Sequence, residues 1–261
     1  MYYIRTKIAA FQQLINNPMP YRRLPNTDAA RMKALRAALT KGKELPPFKL
    51  AFSQSNLLKL QSFVETFNHS LNNQKQAFDY QVTNSNRYKE ALRKVKLYIS
   101  HFIQVTNMAI TRGELPEKTR DYFGLDNNSK TLPVLNTEKE VIELGARLIE
   151  GEKQRIKKGL TAIKNPTIAV VNVRYEQFMD AYNFQKTLQK RNKLALEKLA
   201  SMRNRADEII LSIWNEVEDH FSDLPENMKR DEASQYGLVY VFRKNELLKI
   251  HFSPVERRGT A

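Results

Sequence analysis

The chain has no cysteine in its 261 residues. Disulfide frameworks, cysteine-ligated zinc and thiol nucleophiles are therefore excluded together, and a reducing, cytoplasmic setting is expected. Glycine and proline are scarce, at 8 and 10 residues, which argues against a turn-rich β fold and for long helices. No run of apolar residues reaches the length of a membrane span, so none is expected. The first residues, MYYIRTKIAAFQQLI, lack the uninterrupted apolar centre of a signal peptide. No glycine-rich phosphate loop, no G-x-S-x-G elbow and no H-E-x-x-H pair occurs. Neither a catalytic residue nor a metal ligand is assigned on these grounds, and no cofactor is expected. Acidic residues are also scarce in the first part of the chain. Residues 1–112 hold 18 Lys and Arg against 5 Asp and Glu, or +13; the rest holds 25 against 23, and the whole chain carries +15. Such an imbalance points to a polyanionic partner.

Long helical patterns fill the space that turns leave. Residues 53–112 contain neither Gly nor Pro, and apolar residues recur in them every seventh position. One position reads Leu57, Val64, Leu71, Phe78, Ser85, Leu92, Ile99, Thr106; the other reads Leu60, Phe67, Gln74, Gln81, Tyr88, Val95, Phe102, Ala109. The period is that of a left-handed coiled coil. The seam is apolar at both ends and polar in the middle. Thr83-Asn84-Ser85-Asn86 is acceptable turn chemistry, but a turn would reset the heptad phase, and the phase does not slip. One straight helix is the favoured reading. Residues 167–221 repeat the character, with Tyr175, Tyr182, Gln189, Leu196, Arg203, Ile210 and Val217 at one seam position and Val171, Phe178, Gln185, Asn192, Leu199, Ala206 and Ile213 at the other.

Shorter elements surround these runs. Residues 1–16 read as an amphipathic helix with Ile4, Ile8, Phe11 and Ile15 on one side. A second helix is capped near Asn26 or Thr27, with Gly42 expected as its stop. Thr137 and Glu140 form a capping box for a helix reaching about Ile163. Val239 to Phe252 alternates around Lys244-Asn245-Glu246, a β-hairpin pattern.

The two halves resemble each other. Leu24-Pro25-Asn26-Thr27-Asp28 matches Leu132-Pro133 with Asn136-Thr137-Glu138. Leu115-Pro116-Glu117, Arg120-Asp121 and Phe123-Gly124-Leu125 match Leu224-Pro225-Glu226, Arg230-Asp231 and Tyr236-Gly237-Leu238. Residues 77–95 align with 181–199 without gaps, and eight of the nineteen positions are identical. Identity at solvent-facing positions is more than two unrelated heptad helices require. The expected organisation is an N-terminal helix and basic linker (1–23), two repeat units (24–125 and 132–238), a β-hairpin (239–252) and a flexible tail (253–261). The string IWNEVEDHFSDLP followed by YGLVYVFRK resembles an uncharacterised bacterial family of long-helix bundle proteins; that resemblance implies no activity and no site.

The expected fold is thus all-α: an elongated helical bundle with two long heptad-patterned helices from an internal duplication, plus a small C-terminal β-hairpin. Two groups of residues are candidates for function. Arg22, Arg23, Arg31, Lys33, Arg36, Lys41 and Lys43 form a basic stretch suited to sequence-tolerant phosphate contact with nucleic acid. Gln81, Thr83 and Arg87, with their repeat mates Gln185, Thr187 and Arg191, form a polar waist. Such amides either set helix register or line a small polar site. Glu65/His69 and Glu216/His220 share helix faces but lack the Glu-x-x-His spacing of bundle metal sites. Trp214, the only tryptophan, lies between Ile213 and Val217 and is expected in the core or as a partner-binding anchor. The sequence favours a non-enzymatic interaction or scaffold protein with a protein partner or a homo-oligomer. Nucleic-acid binding through the basic stretch is the alternative, and a ligand or enzyme site at the waist comes third.

Overall fold

The computed structural model describes residues 20–126 and 131–242. The expected N-terminal helix, the return limb of the hairpin and the tail lie outside the described residues. The elements are β1 (Tyr21–Arg22), α1 (Asp28–Glu44), α2 (Gln54–Thr111), a 3-10 helix (Glu117–Phe123), α3 (Glu138–Lys157), α4 (Ile168–Ser201), α5 (Arg203–His220), α6 (Glu226–Ser234) and β2 (Tyr240–Val241), with a further 3-10 turn at Pro47–Lys49. The chain is a helical bundle with two long helices and a small antiparallel β element at its C-terminal end.

The helix starts obey their local chemistry. Thr27 caps α1 by accepting from the Ala30 amide. Thr137 and Glu140 close a reciprocal capping box on α3, satisfying two amides that would otherwise lack partners. α2 runs unbroken through Thr83–Asn86: Thr83 and Asn84 bond back to the carbonyls of Asp79 and Tyr80 instead of opening a turn. The second long run is made of joined segments. Ser201 Oγ bonds the Lys198 carbonyl, and the Met202 amide shifts to the Leu199 carbonyl, so α4 and α5 meet at a tightened turn. Two expected ends move. α1 continues past Gly42 to Glu44, because that glycine serves close packing: a Cβ there would meet Leu57 Cδ1 at 2.4 Å. α3 stops at Lys157, before Ile163, where Gly159 takes a positive φ of 77°.

The described residues form two compact units, 20–72 with 197–242 and 73–126 with 131–196. Each has its own core. The first gathers Leu35, Leu60, Phe67, Ile210, Trp214 and Val217, among others, from α1, α2 and α5, with Ala233 from α6 and Tyr236 and Leu238 just beyond it. The second gathers Val95, Ile99, Phe102, Phe123, Val141, Leu148, Val171 and Phe178 from α2, the 3-10 helix, α3 and α4. Each unit therefore draws on both of the stretches that resemble each other in sequence, taking the capped short helix of one and the terminal turn of the other. Within the second unit α2 and α4 pack antiparallel, since Gln74 and Gln81 meet Asn192 while Tyr88 meets Phe178.

The β element closes over long sequence separation. β2 pairs antiparallel with β1, Tyr21 opposite Val241 and Arg22 opposite Tyr240. The strand expected from Val239 onward is thus present, and within the described residues its partner comes from before α1.

Candidate interaction groove

A concave site in the first unit lies beside the β pair. The Arg23 amide donates to the Val239 carbonyl at 2.8 Å, which pins the chain as it leaves β1. Leu24, Pro25 and Asn26 then descend to the Thr27 cap and form one wall. The second wall is α1, where Ala30, Lys33, Ala34 and Ala37 fall at helical spacing on one face. The third wall is the stretch from Ser234 to Val241, and Trp214 lies at the base. The cavity measures about 410 Å³, within the range of ligand pockets. Gly237 makes the geometry accessible. Its φ is +92°, and a Cβ would sit 2.9 Å from the Ala34 carbonyl oxygen, so only glycine lets this turn run against α1.

The charges around the groove divide into two sets. Arg22 pairs with Glu218 at 2.7 Å, and the Tyr240 hydroxyl donates to the same carboxylate at 2.7 Å, fastening the β pair to α5. Burial, then that carboxylate, pushes the Tyr240 hydroxyl above its usual range. Arg31 grips Asp207 in a two-pronged bond of 2.7 and 2.9 Å; Arg203 grips Asp28 likewise at 2.9 and 2.8 Å. The hydrogen bond to Asp207 raises the Arg31 pKa further. These crossed pairs hold α1 on α5. Arg36 donates to the Asn68 side chain at 2.7 Å, and Lys41 lies 3.8 Å from Glu44. The side chains of Arg23, Lys33 and Lys43 have no ion-pair or hydrogen-bond partner among the described residues, and Arg23 and Lys33 both line the groove.

No family model matches the chain, and neither a curated protein nor a solved structure is found similar to it. The reading of the site therefore rests on its geometry.

The waist residues sort differently. Asn192 Nδ2 donates to Gln81 Oε1 at 2.9 Å, and Gln74 Nε2 reaches Asn192 Oδ1 at 3.5 Å, so three amides span the seam between α2 and α4. Asn192 is the member that pairing by repeat position does not supply; its heptad position was the available signal. Thr83 and Thr187 each bond a carbonyl of their own helix at 2.9 Å. Arg87 and Arg191 are exposed, and Arg87 borders two shallow pockets of about 250 and 230 Å³. Gln185 is buried, and its side-chain oxygen has no hydrogen-bond partner among the described residues. Gln81 and Gln185 are not hydrogen-bonded to each other, and neither lines any of the cavities described here.

His69, Glu65 and His220 are exposed. Among the described residues no group of three or more His, Asp or Glu side chains could hold a metal ion, and no helix is long and apolar enough to cross a membrane. A cavity of about 440 Å³ opens in the second unit between the end of α2 and residues 161–165. Arg112 and Lys164 are its cations; Arg112 is already clamped by Glu114 at 2.6 and 3.0 Å, and that carboxylate lines the cavity with them. The groove beside the β pair is the better binding candidate because it has no carboxylate in its lining and its base is aromatic. Of its residues the sequence reading singled out Arg23, Lys33 and Trp214. It missed Ala30, Ala34 and Ala37, whose i, i+4, i+7 spacing was the signal for a small-residue face on α1.

Proposed function

We propose that this is a non-enzymatic interaction protein whose first unit holds an apolar, acid-flanked segment of a partner protein in the groove beside the β pair. One observation carries the reading. Two of the basic residues that stand out in the sequence, Arg23 and Lys33, border an apolar cavity with Trp214 at its base, and the described protein offers neither a carboxylate. An acidic side chain of a ligand supplies the missing partner, and an apolar one fills the space between the alanine face of α1 and Leu238.

The nucleic-acid reading draws on the +13 surplus of residues 1–112. In the same stretch Arg22 and Arg31 are held by protein carboxylates, which leaves fewer cations for phosphates. The proposed localisation is cytoplasmic, as the cysteine-free composition suggests.

Trp214 provides the test, since it is the sole tryptophan and lies at the base of the groove. A short synthetic peptide in which Leu and Glu alternate is titrated into the full chain while indole emission is followed. The expected result is a saturable change, weakened about tenfold or more by Arg23→Glu with Lys33→Glu, roughly 1.4 kcal/mol per tenfold. The response is absent with a peptide carrying Lys in place of Glu. An indole response to a single-stranded oligonucleotide, with none to the acidic peptide, overturns the reading in favour of nucleic acid.

A further inference from the structure

The second unit contains a groove assembled from the matching parts of the other repeat. Leu132 and Pro133 enter it as Leu24 and Pro25 enter the first, and each Leu-Pro pair leads to a threonine-capped helix. Gly124 and Leu125 line it as Gly237 and Leu238 line the first, and both glycines have positive φ, 60° and 92°. Counting from the caps, Leu144 and Arg147 of α3 take the places of Ala34 and Ala37 of α1, and all four line their cavities. A Cβ on Gly124 would approach Arg147 Nη1 at 3.3 Å, as one on Gly237 would approach Ala34. The resulting space is about 330 Å³.

We infer that this second groove, bordered by Leu125, Leu132, Pro133, Leu144 and Arg147, binds an apolar, acid-flanked protein segment, so that the chain is bivalent. The inference rests on the reading of the first groove and on the proposed duplication, and it adds a site that neither requires. The charge argument is independent of the first groove. Arg147 is exposed and has no ion-pair or hydrogen-bond partner among the described residues. By contrast Arg120, also on the wall, is held by Asn107 at 2.6 and 3.1 Å and by the Asp126 carbonyl. Arg147 therefore plays the part that Arg23 and Lys33 play in the first unit. A partner presenting two such segments, or a dimeric partner presenting one each, gains avidity from a bivalent chain without any new contact.

The test counts bound ligand with the same Leu–Glu peptide. Calorimetry and native mass spectrometry on the full chain are expected to show two equivalents. Arg147→Glu, with Leu132→Glu as a second, exposed substitution, is expected to remove one equivalent and leave the Trp214 response intact. Arg23→Glu with Lys33→Glu removes the other equivalent and the Trp214 response. A stoichiometry of one that Arg147→Glu does not alter, with a normal Trp214 response, overturns bivalency alone. A silent Trp214 with one equivalent lost in Arg147→Glu overturns both bivalency and the first groove. No bound peptide at all overturns both proposals.

Discussion

At the scale of the residue, the informative side chains are those whose hydrogen bonding is incomplete. Gln185 lies 7% exposed in the α4 seam with its carbonyl oxygen unpaired. Gln81, the residue that aligns with it in sequence, accepts from Asn192. The residue that aligns with Asn192 is Tyr88, and its hydroxyl is turned to Glu138 instead. The amide at 185 thus has no counterpart of the Asn192 donor. An orphaned buried acceptor costs about 1–3 kcal/mol, whereas an apolar side chain of similar shape costs nothing in desolvation. Gln185→Leu is therefore expected to stabilise the protein by about 1 kcal/mol in chemical denaturation; a loss of stability would show that the amide has a partner in solution. Trp214 had been open to two roles in the sequence. It is 1% exposed and packed in the first core, yet it also forms the base of the groove, so core residue and reporter coincide.

At the scale of the element, two predictions follow from helix chemistry. Glu138 opens α3, where its carboxylate accepts from the Tyr88 hydroxyl and pairs with Lys186 at 3.0 Å. The Tyr88 bond first, and Lys186 after it, hold Glu138 below the ordinary glutamate value of 4.5. Because the folded value is depressed, the unfolded chain takes up the proton more readily. The stabilisation is full above about pH 4.5 and is lost as pH falls through the lower folded value. Melting curves of Glu138→Gln against the parent are expected to differ most above that pH and to converge below it; a gap that widens in acid would reverse the assigned sign. The second prediction concerns the amide span. Asn192→Leu alone strands Gln81 and is expected to cost about 1 kcal/mol, while Asn192→Leu combined with Gln81→Leu returns close to the parent stability. A double variant as weak as the single one would mean that the amides contribute more than mutual satisfaction.

Much of this element-level structure was legible in the sequence. The Thr27 cap, the Thr137–Glu140 box, the unbroken α2 and the Gly124 and Gly237 turns all rest on local backbone chemistry, which a sequence carries openly. What was not legible depends on residues far apart in the chain. Gly42 reads as a helix stop until Leu57 is known to lie against it. The pairing of β2 with β1, the join at Met202 and the engagement of Arg22 and Arg31 by Glu218 and Asp207 are likewise set by distant partners or by competition for one carbonyl. The groove fell between these cases. Its charged rim was visible, and its alanine wall was not, because small residues carry no signal until something packs beside them.

At the scale of the whole molecule, the net charge of +15 is a sum of unlike parts. Several basic residues of the first unit are joined to carboxylates and hold elements together, as Arg22, Arg31 and Arg203 do. Arg23, Lys33 and Arg147 have no such partner among the described residues, and they border the two grooves. On the proposed reading, salt weakens ligand binding at both grooves and leaves the apolar cores intact. The most direct measurement is the titration of Trp214 emission with the Leu–Glu peptide, in the parent and in Arg23→Glu with Lys33→Glu. The account predicts a saturable change in the parent that the paired substitution weakens about tenfold or more. An emission spectrum unmoved by the acidic peptide, or moved equally by its lysine counterpart, would contradict it.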